Sequence, residues 1–235
     1  MSARAAAVAA LQALLAERSG HAFSDPDLLE QALTHSSVGH GAKPVAHNER
    51  LEFLGDRVLN LVVAEALFGR FPGAREGDLA LRFNAAVDAE SCAEVARGWS
   101  LGPALRLPPD ETRRGARERT NILADACEAV IAAVYLDGGL EAARALVLSA
   151  WERRLDGAPP AALASPKSRL QHWALARGPH LPRYEVVGRE GPEHEPRFRV
   201  RVEVEGAEPA ESEGASRRAA EAAAAAALLA REEVR

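Results

Sequence analysis

Five carboxylates stand at spacings suited to holding a divalent cation. In the stretch His47–Leu61, HNERLEFLGDRVLNL, Glu49, Glu52 and Asp56 recur at helical offsets. At about 100° per residue they share an arc of roughly 60°. Farther along, Asp125 and Glu128 lie three residues apart inside the nearly all-apolar run NILADACEAVIAAVYL. Acids at helical spacing often do no more than face water. Two unpaired carboxylates buried in an apolar helix would be costly, however, and a bound metal supplies the missing positive charge compactly. Two helices each presenting acids could meet around one or two hard ions such as Mg²⁺, which takes oxygen ligands and keeps several waters. Hydrolysis by metal-activated water needs no side-chain nucleophile, and the chain shows no nucleophile motif.

The elements that must position these acids follow from the same count. Leu51, Leu54, Val58, Leu61 and Val62 are expected on the side opposite the acidic stripe, giving a helix with a buried back. Phe53 falls beside the acids, where a monomer would expose it. Gly55 costs about 1 kcal/mol relative to Ala in a helix interior, so it suggests a backbone packed close. Ser24-Asp25-Pro26 reads as a helix start, with DLLEQALTHSS as the helix that follows. A Gly-rich loop (38–42, then Pro44) leads into the acidic helix, which runs to about Phe71. Glu76 opens another helical segment, and 88–97 forms the next. Residues 108–119, PPDETRRGARER, supply Arg113, Arg114, Arg117 and Arg119, either beside a polyanion or on an ordinary solvated surface. Gly138-Gly139 ends the second acidic helix, and a last helix closes the domain from Leu140 to Leu155.

Residues 156–165, DGAPPAALAS, have the composition of a linker. Beyond it the pattern becomes helix (166–177), three strands (PRYEVVGRE, RFRVRVEV and a short one near 207–211), and helix (215–231). Strict alternation in RFRVRVEVE puts Phe198, Val200, Val202 and Val204 on one face, as in a half-buried antiparallel sheet covered by helices. The fold class expected is therefore an all-α domain over 1–155, a linker over 156–165 and an α+β domain over 166–235.

The 235 residues fit two ordinary domains, and 47% hydrophobic content can supply real cores. Net charge is −5; residues 165–235 carry 12 basic and 12 acidic residues, so the whole deficit lies in 1–164, with the candidate metal ligands. Charge alone does not suggest a nucleic-acid partner. With only Cys92 and Cys127, neither a disulfide framework nor a cysteine-rich zinc site is plausible; both read as core residues of a reduced cytosolic protein. The N-terminus lacks the uninterrupted apolar region of a signal peptide, and no run approaches the roughly 20 apolar residues of a membrane span. A soluble, cytoplasmic protein is expected.

The string NERLEFLGD (Asn48–Asp56), with REGDL, NILADACEA and SPKSRLQHW following in order, resembles the ribonuclease III family over nearly the whole chain. The resemblance implies a helical endonuclease domain followed by a double-stranded-RNA-binding domain. It implies Mg²⁺, with Mn²⁺ able to substitute, held by Glu52, Asp56, Asp125 and Glu128, of which Asp56 and Glu128 are central to catalysis. Glu49 and Glu76, the latter in the EGDL segment, are expected to position RNA. It also implies cleavage of both strands of double-stranded RNA to 5′-phosphate and 3′-hydroxyl ends with two-nucleotide 3′ overhangs, in ribosomal and messenger RNA maturation. The partner that Phe53 and Gly55 call for would be a second copy in a homodimer. In the second domain Gln171 and His194 match residues that enter minor grooves, and Ser216, Arg217 and Arg218 stand at a helix N-terminus suited to phosphate. Two departures weaken expected contacts: Ala80 in ALRFNAAV replaces a Ser, and His172 stands where many members carry Glu.

Two rival functions fit parts of this pattern. A non-cleaving duplex-binding protein would use the acidic helices only structurally, and a helical phosphohydrolase would act on small nucleotides. Cleavage of a long duplex in Mg²⁺ separates all three.

Overall fold

The computed structural model describes residues 2–39, 45–157, 165–175, 177, 178, 181–192 and 196–232. The chain divides into two compact units, 1–158 and 159–235.

The first unit is helical and built around one long element. Its helices are α1 (Ala3–Ser19), α2 (Pro26–Ala32), α3 (Glu49–Arg70), α4 (Glu76–Ala86), α5 (Ala89–Gly98), α6 (Leu101–Ala104), α7 (Pro109–Arg113) and α8 (Thr120–Leu155). Helix α8 breaks at Gly139, whose φ of 79° and ψ of −178° suit a residue without a side chain. Its apolar face is nearly continuous, from Ile122 and Leu123 to Trp151 and Leu155, and α1, α2, α3 and α5 all pack on it. Just before the break, the Asp137 carboxylate meets His21 Nε2 at 2.6 Å and accepts the backbone N–H groups of Ser24 and Asp25 at 2.7 and 2.9 Å. The turn between α1 and α2 is thereby fastened to the middle of α8. Trp151 is fully buried, and its indole N–H donates to the Ala86 carbonyl at 2.8 Å.

Three local expectations change. The helix expected through Ser37 stops at Ala32, because backbone pairing with a distant segment replaces its last turn. Arg106 N–H donates to Leu33 O at 2.8 Å, His35 N–H donates to Arg106 O at 3.1 Å, and Asn48 N–H donates to Thr34 O at 2.9 Å. In α3, Leu51, Val58 and Val62 are buried as expected, but Leu61 is 54% exposed while Leu59 and Val63 are fully buried. The buried arc centres on Gly55, which an apolar count overlooks, and the acids border that arc at roughly 60–120° from Gly55 instead of opposing it. In the arginine-rich segment, Arg117 turns inward and donates to the carbonyls of Gly102 and Leu105. Arg113 pairs with Asp110 and Arg119 with Glu111.

The second unit contains α9 (Pro166–Leu175), strands β1 (Arg183–Glu190), β2 (Arg197–Glu203) and β3 (Ala210–Gly214), and α10 (Arg217–Glu232). The sheet is antiparallel in the order β1-β2-β3, with an irregularity at Val186/Gly188. Val200, Val202 and Val204 are buried as the alternation requires, and Leu170, Ala174, Leu228 and Leu229 from the two helices complete the core. The third strand falls three residues beyond its expected start, because Gly206, at φ 83°, and Pro209 belong to the preceding turn.

Candidate functional site

The acids are gathered by one close helix crossing. A Cβ built on Gly55 would lie 1.8 Å from the Glu128 carbonyl oxygen, so α3 reaches α8 backbone to backbone at that point. Glu52 stands one turn before Gly55 and Asp56 directly after it, while Asp125 stands one turn before Glu128. All four side chains are partly buried.

Their electrostatics show that three of them act on one another. Burial, then the charges of Glu52 and Asp125, push the Glu128 carboxyl up to about 7, with Arg57 opposing the rise. Burial raises Glu52 as well, helped by Asp125 and Glu49. Asp125 is raised by burial and opposed by His35. Asp56 takes a different set of partners: Asn60 Nδ2 donates to it at 3.0 Å, and Arg57 pairs with its other oxygen. From α5, the buried Cys92 thiol faces Glu128 Oε1 at 4.0 Å, and burial pushes that thiol up to about 12. It is therefore no nucleophile at neutral pH.

Does this set fit a divalent ion? Among the described residues, no three His, Cys, Asp or Glu side chains yet converge on a point that would hold a metal. The donor chemistry nevertheless fits: these are hard carboxylate oxygens, partly desolvated, and burial and mutual repulsion raise Glu52 and Glu128, a strain that a bound cation would relieve. In this arrangement one Asp56 oxygen is paired with Arg57 and the other accepts from Asn60.

The raised Glu128 pKa has a consequence for stability. Its folded value, about 7, exceeds the ordinary 4.5. Its contribution to stability is therefore full below about pH 4.5 and is lost as the pH rises through about 7. In EDTA the protein should melt at a lower temperature at pH 8 than at pH 6. Glu128→Gln should shrink that difference; an unchanged difference in the variant would place the titrating group elsewhere.

The remaining expected residues are distributed unevenly. Glu49 is exposed at the start of α3, with His47 Nδ1 3.8 Å away, and its charge acts on Glu52. Glu76 is the exposed first residue of α4 and is not among the charges that shift Glu52, Asp125 or Glu128. In the second unit, Gln171 and Arg218 line one groove of about 690 Å³, together with Lys167, Tyr184 and Glu221. Ser216 Oγ accepts the Ala219 N–H at 3.2 Å and so caps α10. Arg217 donates to Glu221 at 2.9 Å, which offsets part of its charge. His194 lies outside the described residues, as does the His172 side chain. The sequence does not mark Arg57, Asn60 or His35 as site residues, and it marks Cys92 only as a core residue; of these, only Arg57, next to Asp56, carries a visible signal.

Comparisons with known proteins divide the chain similarly. Residues 25–154 match the family model described as Ribonuclease-III-like, and residues 166–231 match the double-stranded RNA binding motif. A protein named Ribonuclease 3 from Caulobacter vibrioides is 54% identical over 232 residues, covering 99% of each chain. Another from Phenylobacterium zucineum is 50% identical over 233 residues, covering 99% of this chain and 96% of its own. Among solved structures, the nuclease domain of a ribonuclease III from Campylobacter jejuni is 40% identical, with a TM-score of 0.55. The alignment covers 61% of this chain and 97% of that domain, which is described as structurally flexible in a region involved in dimer formation.

Proposed function

The chain belongs to the ribonuclease III family and is an endoribonuclease with a double-stranded-RNA-binding domain, and from that premise we propose that it cuts both strands of double-stranded RNA with Mg²⁺. The products would be 5′-phosphate and 3′-hydroxyl ends with two-nucleotide 3′ overhangs, in the maturation of ribosomal and messenger RNA. The observation that carries this reading is the meeting of Glu52, Asp125 and Glu128 where Gly55 lets α3 touch α8.

Glu52, Asp56, Asp125 and Glu128 would hold the metal, with Mn²⁺ able to substitute. In a two-metal arrangement one ion would lower the pKa of the attacking water and the other would steady the leaving 3′-oxygen. Glu128, whose carboxyl is pushed up to about 7, would have to be deprotonated to serve as a ligand. Asp56 accepts from Asn60 on one oxygen and pairs with Arg57 on the other. Glu49 lies at the rim of the acidic face, placed to orient the RNA rather than to coordinate. Glu76 is proposed as an RNA-positioning residue on the family match alone. In the second unit, Gln171 and Arg218 share a groove in which a duplex backbone can lie, and Ser216 and Arg217 mark a helix N-terminus suited to phosphate. His194 is proposed as a further contact. We keep 1–155, 156–165 and 166–235 as the functional division into nuclease, linker and RNA-binding segments. No described helix is long and apolar enough to cross a membrane, and we place the enzyme in the cytoplasm.

We infer a homodimer from the outer face of α3. Phe53, Leu61 and Phe68 are 65%, 54% and 74% exposed and fall within an arc of roughly 80° over about 22 Å of helix. A second copy is the occupant this stripe fits. Gly55 lends that reading no weight, because its close neighbour is Glu128 of the same chain. In a twofold dimer, two acidic sites would flank the minor groove and cut opposite strands, which gives the overhang.

Incubation with a long duplex tests the proposal. Mg²⁺ should yield short duplexes with two-nucleotide 3′ overhangs and 5′-phosphates, while Ca²⁺, with a larger and looser coordination sphere, should permit binding without efficient cutting. Blunt products, or equal cutting in EDTA, would overturn it.

A further inference from the structure

The acidic face carries a cation of its own. Arg57 follows Asp56 on α3, and its guanidinium pairs with Asp56 Oδ2. Neighbours in a helix sequence point about 100° apart, so this side chain must bend back to reach its partner. Phe53, one turn earlier on the same side, supplies the support: the guanidinium carbon lies 5.0 Å from the centre of its ring. Thus held, the Arg57 charge also acts on Glu128 of α8.

We propose that Arg57 is a resident counter-ion of the carboxylate face, which competes with the divalent ion for Asp56 and so raises the metal concentration at which the site fills. The inference rests on the metal-binding reading above. Two facts give the competition its direction. Arg57 already occupies one carboxylate oxygen of Asp56, which a divalent ion would have to win from it, and the described acids do not converge in this arrangement. An arginine, moreover, cannot leave by losing its proton, so the competition persists at every working pH. Without metal, the same pair keeps one acid of a crowded face neutralised, which stabilises the empty protein. Arg57 is thus a positioning residue: it sets where Asp56 points, and the chemistry is left to others.

The test is a titration of the full-length protein with Mn²⁺ in the absence of RNA, reading free Mn²⁺ by electron paramagnetic resonance. Arg57→Met keeps an unbranched stem over Phe53 and removes the charge; Arg57→Lys keeps the charge. A partly exposed pair of this kind shifts an equilibrium by up to about fivefold. Arg57→Met should therefore bind Mn²⁺ about two- to fivefold more tightly than the parent, and Arg57→Lys should stay close to the parent. Unchanged or weaker binding by Arg57→Met overturns the inference. So does a loss of duplex affinity in Ca²⁺ without any change in Mn²⁺ affinity, which would make Arg57 a phosphate contact. An Asp125→Asn, Glu128→Gln double variant keeps the two questions apart. If it binds Mn²⁺ as the parent does, the metal reading itself fails; if it loses binding while Arg57→Met matches the parent, only the role of Arg57 falls.

Discussion

Replacing Glu128 with Gln should cut duplex cleavage by on the order of a thousandfold or more, the scale seen when a group that stabilises transition-state charge is removed. Duplex binding in Ca²⁺ should stay near that of the parent, because on the proposed reading the change removes a metal ligand and no phosphate contact. The substitution is nearly isosteric and mimics the protonated acid, so the packing of Cys92 against this side chain is kept. The variant should also melt at a higher temperature than the parent at pH 8 in EDTA, since it no longer forces a charge into a half-buried position among like charges. A gel shift, a cleavage time course and a thermal melt on one preparation decide the matter. Ordinary cleavage by the variant would remove Glu128 from the metal site.

Gly55→Ala should be nearly as damaging, although it adds one methyl group and Ala is the better helix former by about 1 kcal/mol. The added carbon would stand 1.8 Å from the Glu128 carbonyl oxygen, a backbone atom inside a long helix that cannot swing aside. The helices must separate. Overpacking of this kind costs about 1–3 kcal/mol and occasionally more, which outweighs the gain in propensity. The crossing that separates is also the one that gathers the acids. A misplacement of about 1 Å can cost a hundredfold in rate, so the variant should lose activity even at temperatures where it stays folded. A denaturation midpoint equal to the parent's, with full activity, would mean that the helices do not meet this closely.

Gly55 also shows how far the sequence could be read. A glycine inside a strongly patterned helix announces a close neighbour, but nothing in the string says which one. The family resemblance makes that neighbour a second copy, whereas it is the second acidic helix of the same chain. Leu61 failed for a related reason: the apolar count gave Gly55 no weight, yet the buried arc is centred on it. The pairing of the acids, by contrast, was visible in the interruption of NILADACEAVIAAVYL, because an apolar helix leaves its few charged positions conspicuous. The end of α2 was not visible, since Thr34 and His35 continue the helical pattern and leave it only to pair with Arg106, far along the chain. Arg117 was equally opaque; one arginine in a run of four turns inward, and composition does not record direction. Alternation in β2 translated into burial at Val200 and Val202, because a strand has only two faces, while Phe198 at the strand's start is only partly buried.

The fastening of His21 to Asp137 bears on how the protein is made. These residues are 116 positions apart, and α1, α2, α3 and α5 all lack their main packing surface until α8 has been synthesised. At about 5–20 residues per second, His21 leaves the site of synthesis roughly 6–23 s before its partner is joined to the chain. Throughout that interval the nascent helices have no completed core to enter, and the phenylalanines of α3 are exposed together with the leucines that will later be buried. The nuclease unit must then close late and nearly at once, around its last long helix. Carboxylates drawn from both α3 and α8 cannot come together before that moment, so, if they are the proposed metal site, a ribosome-bound fragment ending short of α8 would have no means of cutting the RNA around it.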